Sequence, residues 1–232
     1  MPRINWGQAA GEALLIMLGI LLALGVDAWW EERSERVQER EYLLALQGEL
    51  ELLRDQGLDV AGRVAGIEAS SAELLGISAR WPDATVPRDS VAELLIGLGE
   101  EIDWAPRLSV YEDLLNTGSV RIIRSEEVRH GLTAVMGAVE WVSDRRDRHN
   151  QFFWDQLDPY LRGNLPILAV FREYDLPPPP ETWSPDDFVT SREFRNLVAV
   201  KSMSAQDVRG AAADLTEIID AALASVRSAA ET

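Results

Sequence analysis

The stretch Ala13–Val26, ALLIMLGILLALGV, contains no polar side chain and decides what kind of fold the chain can adopt. As a helix it is about 21 Å long, which is short of the roughly 30 Å hydrocarbon core of a bilayer. Including the mainly apolar neighbours in residues 9–29 lengthens the helix to about 31 Å, enough to span the core. The sequence therefore predicts a transmembrane helix over residues 9–30, preceded by a short tail of residues 1–8.

Two carboxylates and three tryptophans flank this helix. Glu12 and Asp27 fall near the two membrane boundaries, and Glu12 also gains from the positive N-terminal end of the helix dipole. The aromatic side chains that fall where interfacial belts belong are Trp6, Trp29 and Trp30. We expect these five residues to mark the edges of the bilayer.

Two other interpretations of the apolar stretch remain open. Val26-Asp27-Ala28 fits the small-x-small pattern of a secretory cleavage site, so the stretch could be a removed signal. It could also be the buried core helix of a protein without a membrane span. Against the signal, Arg3 is the only basic side chain before the stretch, and the helical pattern continues through Trp30. Against the core helix, the stretch has no polar face. A retained single-span anchor is favoured.

One face of the predicted span differs from the rest. It carries the small pair Gly19 and Ala23, with Ile16 and Val26 beside them, and both boundary carboxylates project from the same face. Small residues four apart let transmembrane helices approach closely. Our hypothesis is that the spans self-associate through this face, with the carboxylates turned toward neighbours or trapped water. The alternative is that both carboxylates simply reach the headgroups.

Beyond the span, residues 31–232 are predicted to form an extramembrane all-α bundle. Apolar spacings of three and four follow one another without a break, in a heptad pattern typical of packed helices. Its members are Leu43, Leu46, Leu50, Leu53, Gly57, Val60, Val64, Ile67, Ser71 and Leu74. The pattern predicts a long helix over about residues 31–80 that continues from the membrane without interruption. Trp81-Pro82 should end it, because the residue before proline disfavours helix.

A second heptad pattern occupies the C-terminal helix, predicted over about residues 191–230. Its members are Val198, Lys201, Ala205, Val208, Ala212, Leu215, Ile219, Ala222 and Val226. The many alanines allow close helix approach, so we expect this helix to pack antiparallel on the Leu43–Leu74 pattern. A proline-rich connector, residues 163–183, should precede it.

The middle of the chain should hold shorter helices over about residues 90–118 and a long helix over about 125–161. Ser90, Ser109 and Ser125 are the expected N-caps of these helices. The charged run Asp144–His149 in the middle of the long helix is interpreted as a solvated face rather than a site.

Composition excludes several classes of function. Acidic side chains outnumber basic ones 39 to 22, and the net charge of −17 argues against nucleic acid or an anionic lipid surface as the main partner. Without cysteine there is no disulfide, thiolate nucleophile or Cys-ligated metal. Only His130 and His149 could supply imidazole, and Lys201 is the single lysine. We therefore expect no metal or other cofactor and no intrinsic catalysis.

Two segments carry a resemblance to a known family. The first is Gly11–Leu24, GEALLIMLGILLAL, followed by Trp30-Glu31-Glu32-Arg33. The second is Tyr111–Val120, YEDLLNTGSV, followed by Arg121-Ile122-Ile123 and Val128-Arg129. Both segments are similar to those of a family of uncharacterised bacterial single-span membrane proteins, in which a transmembrane helix precedes an α-helical domain of unknown function.

The resemblance implies a protein of the bacterial inner membrane with a short cytoplasmic N-terminus and a periplasmic helical domain. Basic residues allow the opposite orientation, because Arg3 precedes the span while Arg33, Arg36 and Arg40 follow it. The resemblance implies no catalytic or binding residues.

Three functions are compatible with these observations. The leading one is a membrane-anchored helical scaffold or interaction protein without catalysis. It would bind further copies of itself, forming homo-oligomers, or an unidentified membrane protein partner. An alternative is a homo-oligomeric, cation-favouring pore lined by Glu12, Gly19, Ala23 and Asp27. A second alternative is an extracytoplasmic ligand-sensing bundle that acts through a partner.

Overall fold

The computed structural model describes residues 6–81, 86–166 and 184–231, with side chains described from residue 14 onward. These residues form helices and connecting turns without any strand. The expectation of an all-α fold is confirmed. Residues 1–5, which include most of the predicted N-terminal tail, and most of the predicted proline-rich connector lie outside the described residues.

The first helix, α1, runs from Trp6 to Arg80 without interruption. Its 75 residues correspond to a rod about 112 Å long. Through residue 38 every described side chain on this rod is exposed, and from Leu43 onward one stripe of it is buried. One helix therefore contains both the predicted membrane span and one wall of the bundle.

The C-terminal helix, α6, runs from Arg192 to Ala230 and packs on α1 in the antiparallel direction. Ser78 near the end of α1 donates a 2.7 Å hydrogen bond to the carbonyl oxygen of Val189, just before α6 begins. Closer to the predicted span, Arg54 of α1 forms a 2.7 Å ion pair with Asp220 near the end of α6. The two heptad patterns therefore face each other as the sequence predicts.

The third long element lies on the other side of α6. Helix α4 extends from Glu126 to Phe152, and α6 lies between α1 and α4. A π-helical turn, Phe153–Leu157, joins α4 to the short helix α5, Asp158–Asn164. Pro159 has no N–H to donate to the carbonyl one turn earlier, and the widened turn lies directly before it.

Two short helices fill the space between the long ones. Helix α2 covers Arg88–Leu98 and packs on α1, while α3 covers Ser109–Asn116. Gly118 ends α3 with φ of 69°, a left-handed conformation that glycine adopts without a steric cost.

The serine N-caps were predicted correctly for one of these three helices. Ser125 does cap α4, accepting a bond from the N–H of Val128. The prediction was wrong for α2, where Pro87 is the N-cap and Ser90 lies inside the helix. It was also wrong for α3, because the hydroxyl of Ser109 donates to Glu49 of α1 at 2.8 Å instead of capping its own helix.

The buried apolar side chains form two separate groups. The proximal core, nearer the predicted span, takes its residues from α1 up to Ile67, from α4 up to Val142, and from α6 from Ala205 onward. The distal core contains Leu74 and Ile77 of α1 and, from α6, Phe194 and Val198. It also contains the apolar side chains of Phe153, Leu157, Leu161 and Leu165.

Candidate functional site

The apolar segment of α1 is exposed along its whole described length. Over its most apolar window the mean hydropathy is 1.8, and none of that window is buried. Among the described helices, only α1 is long and apolar enough to cross a membrane. A core helix of a protein without a membrane span would be covered by other elements, so the exposure does not support that interpretation.

The predicted packing face keeps its surroundings free of protein. Ile16, Gly19, Ala23 and Val26 are exposed, and a Cβ atom placed on Gly19 would meet no atom within 4 Å. The four residues share one helix face, and no other part of the described chain approaches them. Their role in self-association stays a prediction.

Three of the five predicted boundary residues have side chains that the structure describes. Asp27, Trp29 and Trp30 are exposed, and the guanidinium carbon of Arg33 lies 6.0 Å from the centre of the Trp29 ring. The backbone of α1 includes Trp6 and Glu12, but their side chains lie outside the described residues.

Directly after the span, α1 is tied to the bundle by one arginine. The backbone N–H of Arg124, in the turn before α4, donates a 2.6 Å hydrogen bond to the carboxylate of Glu39. Its guanidinium lies 3.3 Å from Glu35 and 3.7 Å from Glu39. The neighbouring Glu32 bonds Arg36 at 2.7 Å, which holds the pKa of the Glu32 carboxyl below its ordinary value.

An open cleft of about 540 Å³ lies beside this junction, between α1, the start of α4 and the end of α6. Arg36, Arg40 and Arg124 line it together with Glu39, Glu127 and Glu231. The equal numbers of opposite charges give the cleft no preference for an anion or a cation. We therefore do not assign it a ligand.

The most unusual feature of the bundle is a buried polar layer between the two cores. It consists of Ser71 of α1, His149 of α4 and Lys201 of α6, each with no measurable exposure. In every case the residue falls between the last proximal-core and the first distal-core residue of its helix: Ile67 and Leu74, Val142 and Phe153, Ala205 and Val198. The layer therefore crosses all three long helices at one level.

Hydrogen bonds in this layer fix the state of His149. The hydroxyl of Ser204 donates to the carbonyl oxygen of Lys201 at 2.8 Å, and it lies 2.8 Å from Nδ1 of His149. When the Ser204 hydroxyl donates to that carbonyl, Nδ1 of His149 is the donor to Ser204, and the neutral imidazole then has its free lone pair on Nε2. That Nε2 atom is buried without a hydrogen-bond partner.

The ammonium of Lys201 makes fewer polar contacts than the imidazole of His149. Its Nζ atom is buried without a hydrogen-bond partner, and it forms no ion pair within the described part of the chain. It lies over the face of the Phe153 ring, whose centre is 5.1 Å from Nζ. Phe153 belongs to the π-helical turn. Gly99 lies against the same ring, so closely that a Cβ atom added to Gly99 would be 3.3 Å from it.

Burial changes the pKa of both bases. It lowers the pKa of Lys201 to about 8, with a smaller opposing effect from the carboxylate of Glu101. It lowers the pKa of His149 to about 3, and the positive charge of Lys201 adds to this effect. At neutral pH the layer therefore holds a neutral imidazole and an ammonium that has no counter-ion.

The sequence prediction was wrong for His149. Within the run Asp144–His149 it assigned a solvated face, but His149 points into the core between α4 and α6. Arg146 is also drawn inward, since it donates to the carbonyl oxygen of Trp104. The signal that could have revealed the layer was Ser71 and Lys201 in core positions of the two heptad patterns.

No group of three or more potential metal ligands occurs in the described residues. No family model, curated protein or solved structure significantly matches the chain.

Proposed function

We propose that this protein is a single-pass, membrane-anchored helical scaffold that self-associates and has no catalytic activity of its own. The observation that carries the proposal is the composition of α1, in which an exposed apolar span continues without a break into a wall of the bundle. An exposed apolar surface of this length needs lipid or other apolar helices around it. The bundle is therefore joined to the membrane through one continuous helix.

Self-association is proposed through the face of Ile16, Gly19, Ala23 and Val26. No other part of the described chain covers this face, and the absent side chain of Gly19 leaves room for a second backbone. Packing against a second copy would also give Asp27 a polar surrounding away from acyl chains.

The absence of catalysis is proposed from the chemistry of the side chains. There is no thiol, and the single lysine and His149 are both buried where no substrate can reach them. His130, the other imidazole, lies on the surface beside Glu126 at 3.8 Å, the spacing of an ordinary i, i+4 pair.

The location follows from the resemblance to the bacterial single-span family. We propose the inner membrane, with the bundle on the periplasmic side. A reporter fused after Glu231 tests the orientation: alkaline phosphatase activity supports a periplasmic bundle, and fluorescence of a protein that matures only in the cytoplasm contradicts it.

A sensing role through a membrane partner is the second candidate function. The buried polar layer favours it, because such a layer costs stability and has no evident role in simple anchoring.

The self-association is tested by the mass of the full-length protein in nanodiscs and in detergent. The wild type is expected to form a defined oligomer, and Gly19→Leu should shift it to the monomer because the added side chain separates the helices. Gly25→Leu is the matched control, since Gly25 also has open space around it but projects from a different helix face. A monomeric wild type, or equal effects of the two substitutions, would contradict the proposal.

A further inference from the structure

The buried polar layer has a geometry that apolar packing does not explain. Three helices each place one polar side chain at the same level, and apolar cores lie on both sides. A buried ammonium that has no hydrogen-bond partner is costly, because transfer from water removes its hydration without replacing it. Either of two changes removes this cost. The amine of Lys201 loses its proton, or the structure around it opens and water hydrates the ammonium.

The groups facing Lys201 offer little compensation for its charge. From α4 it meets His149, which is neutral, and from the π-helical turn it meets the Phe153 ring. From the segment after α2 the exposed carboxylate of Glu101 acts on it at longer range. On α1 the same level holds the uncharged Ser71, whose hydroxyl already donates to Ile67.

The acidic groups of α1 on either side of this level are engaged elsewhere. Glu68 forms a 2.9 Å ion pair with Arg209 of α6, and Glu73 lies 3.6 Å from Arg80 on its own helix. Neither carboxylate is directed at Lys201, so protonation of the amine leaves a charge between two apolar cores.

We propose that the layer of Ser71, His149 and Lys201 is a proton-responsive break in the core, at which the distal half of the bundle opens when Lys201 is protonated. The distal half means the segment of α1 after Ser71, together with α2, α5 and the first turns of α6. The inference does not depend on the proposed self-association.

The direction of the pH effect follows from linkage. A lysine whose pKa is 10.5 in water and about 8 when buried binds its proton more tightly in the open state. Opening is therefore least favourable above pH 10.5 and becomes more favourable as the pH falls toward 8, below which the effect is constant. Between pH 9 and pH 7 the open population should rise roughly tenfold from this residue alone.

The single lysine makes a direct measurement possible. In full-length protein labelled with ¹³C-lysine, the side-chain Cε carbon of Lys201 gives one resonance whose shift reports protonation. A midpoint near pH 8 is expected. A midpoint near 10.5, the value of a lysine in water, would overturn the inference, because the amine would then be hydrated in the native state.

Hydrogen exchange followed by mass spectrometry tests the opening itself. We expect the protection of the distal peptides 88–98, 157–165 and 192–200, corrected for intrinsic exchange, to be about tenfold lower at pH 7 than at pH 9. The proximal peptides 43–67 and 205–226 should change much less. Equal changes in both sets would contradict the inference.

Two variants complete the test. Lys201→Met keeps the length of the side chain and removes the charge, so the distal protection should become independent of pH. Arg195→Met removes an exposed cation from the same helix and should behave as the wild type. A distal pH dependence that persists in Lys201→Met would assign the opening to other groups and overturn the inference.

Discussion

The ammonium nitrogen of Lys201 lies 5.1 Å from the centre of the Phe153 ring and has no hydrogen-bond partner among the residues that the structure describes. The ring stabilises a cation through its π electrons, an effect worth about 2 kcal/mol when both groups are desolvated. This is less than the cost of removing an ammonium from water, which amounts to several kcal/mol. The only lysine of the chain therefore reduces the stability of the bundle at neutral pH.

Replacing Lys201 by methionine should increase the free energy of unfolding. At pH 7 the gain is expected to approach about 3 kcal/mol, the equivalent of the pKa difference between 10.5 and about 8. The gain should shrink as the pH rises from 8 to 10.5, because the wild-type lysine then becomes neutral in both states. Urea unfolding across this pH range measures both effects. A gain that is constant with pH would show that packing, not charge, is responsible.

His149 should make the fold sensitive to acid. Its pKa is lowered from 6.5 to about 3, so the unfolded chain binds a proton that the folded chain rejects. Stability is therefore lost as the pH falls from 6.5 toward 3. Relative to His149→Leu, the wild type should lose on the order of 3 kcal/mol by pH 4. His130→Leu, at an exposed position, is the control and should leave this loss unchanged.

Helix α4 lies close to α6 at Gly131. A Cβ atom added there would lie 3.3 Å from the Cβ and 3.4 Å from the Cα of Ala222, so the backbone of α6 limits the space. Gly131→Leu should destabilise the bundle by about 1–3 kcal/mol through overpacking. Gly137 lies on the same helix with nothing within 4 Å, and Gly137→Ala should stabilise it by up to about 1 kcal/mol. Thermal unfolding of the two variants should therefore shift in opposite directions.

Ser→Ala substitutions should cost more stability where the serine is an N-cap than where it lies inside a helix. Ser125 and Ser191 accept hydrogen bonds from the N–H groups of Val128 and Phe194, at 3.2 and 2.9 Å. Ser125→Ala or Ser191→Ala should each cost about 1 kcal/mol. Ser90→Ala should cost no more than a few tenths of that, because Ser90 lies inside α2 and caps nothing. Equal losses at Ser90 and Ser125 would contradict this assignment of the caps.

Much of the fold could be predicted because it depends on periodic patterns. The unbroken spacing from Leu43 to Leu74 and the matching pattern in α6 fix which faces are buried and that the two helices pair. The end of α1 at Arg80 follows from the proline two residues later. Heptad spacing and helix-ending prolines are features of short stretches of sequence, so they can be found without knowledge of the tertiary structure.

The polar layer could not be predicted in the same way. Placing Lys201 beside His149 requires the register of α4 on α6, which is a property of the tertiary packing, as is the close contact of Gly131 with Ala222. It also requires the position of Phe153, which lies in the π-helical turn directly before the helix that contains Pro159 and places its ring 5.1 Å from Nζ of Lys201. The charged run around His149 has the composition of a solvent-facing helix, and only the tertiary packing shows that the imidazole is buried.

Because α1 is unbroken, a tilt of the proposed membrane span would be transmitted along the same helix to the far end of the bundle. Arg80 lies fifty residues beyond Trp30 on the same helix, a distance of about 75 Å. A bilayer about 2 Å thinner than the 31 Å span is matched by a tilt of about 20° from the membrane normal. The same tilt carries the far end of the rod about 25 Å sideways if the helix stays straight. If the proposed span lies in a bilayer, small differences in membrane thickness would therefore produce large displacements of the distal half of the bundle.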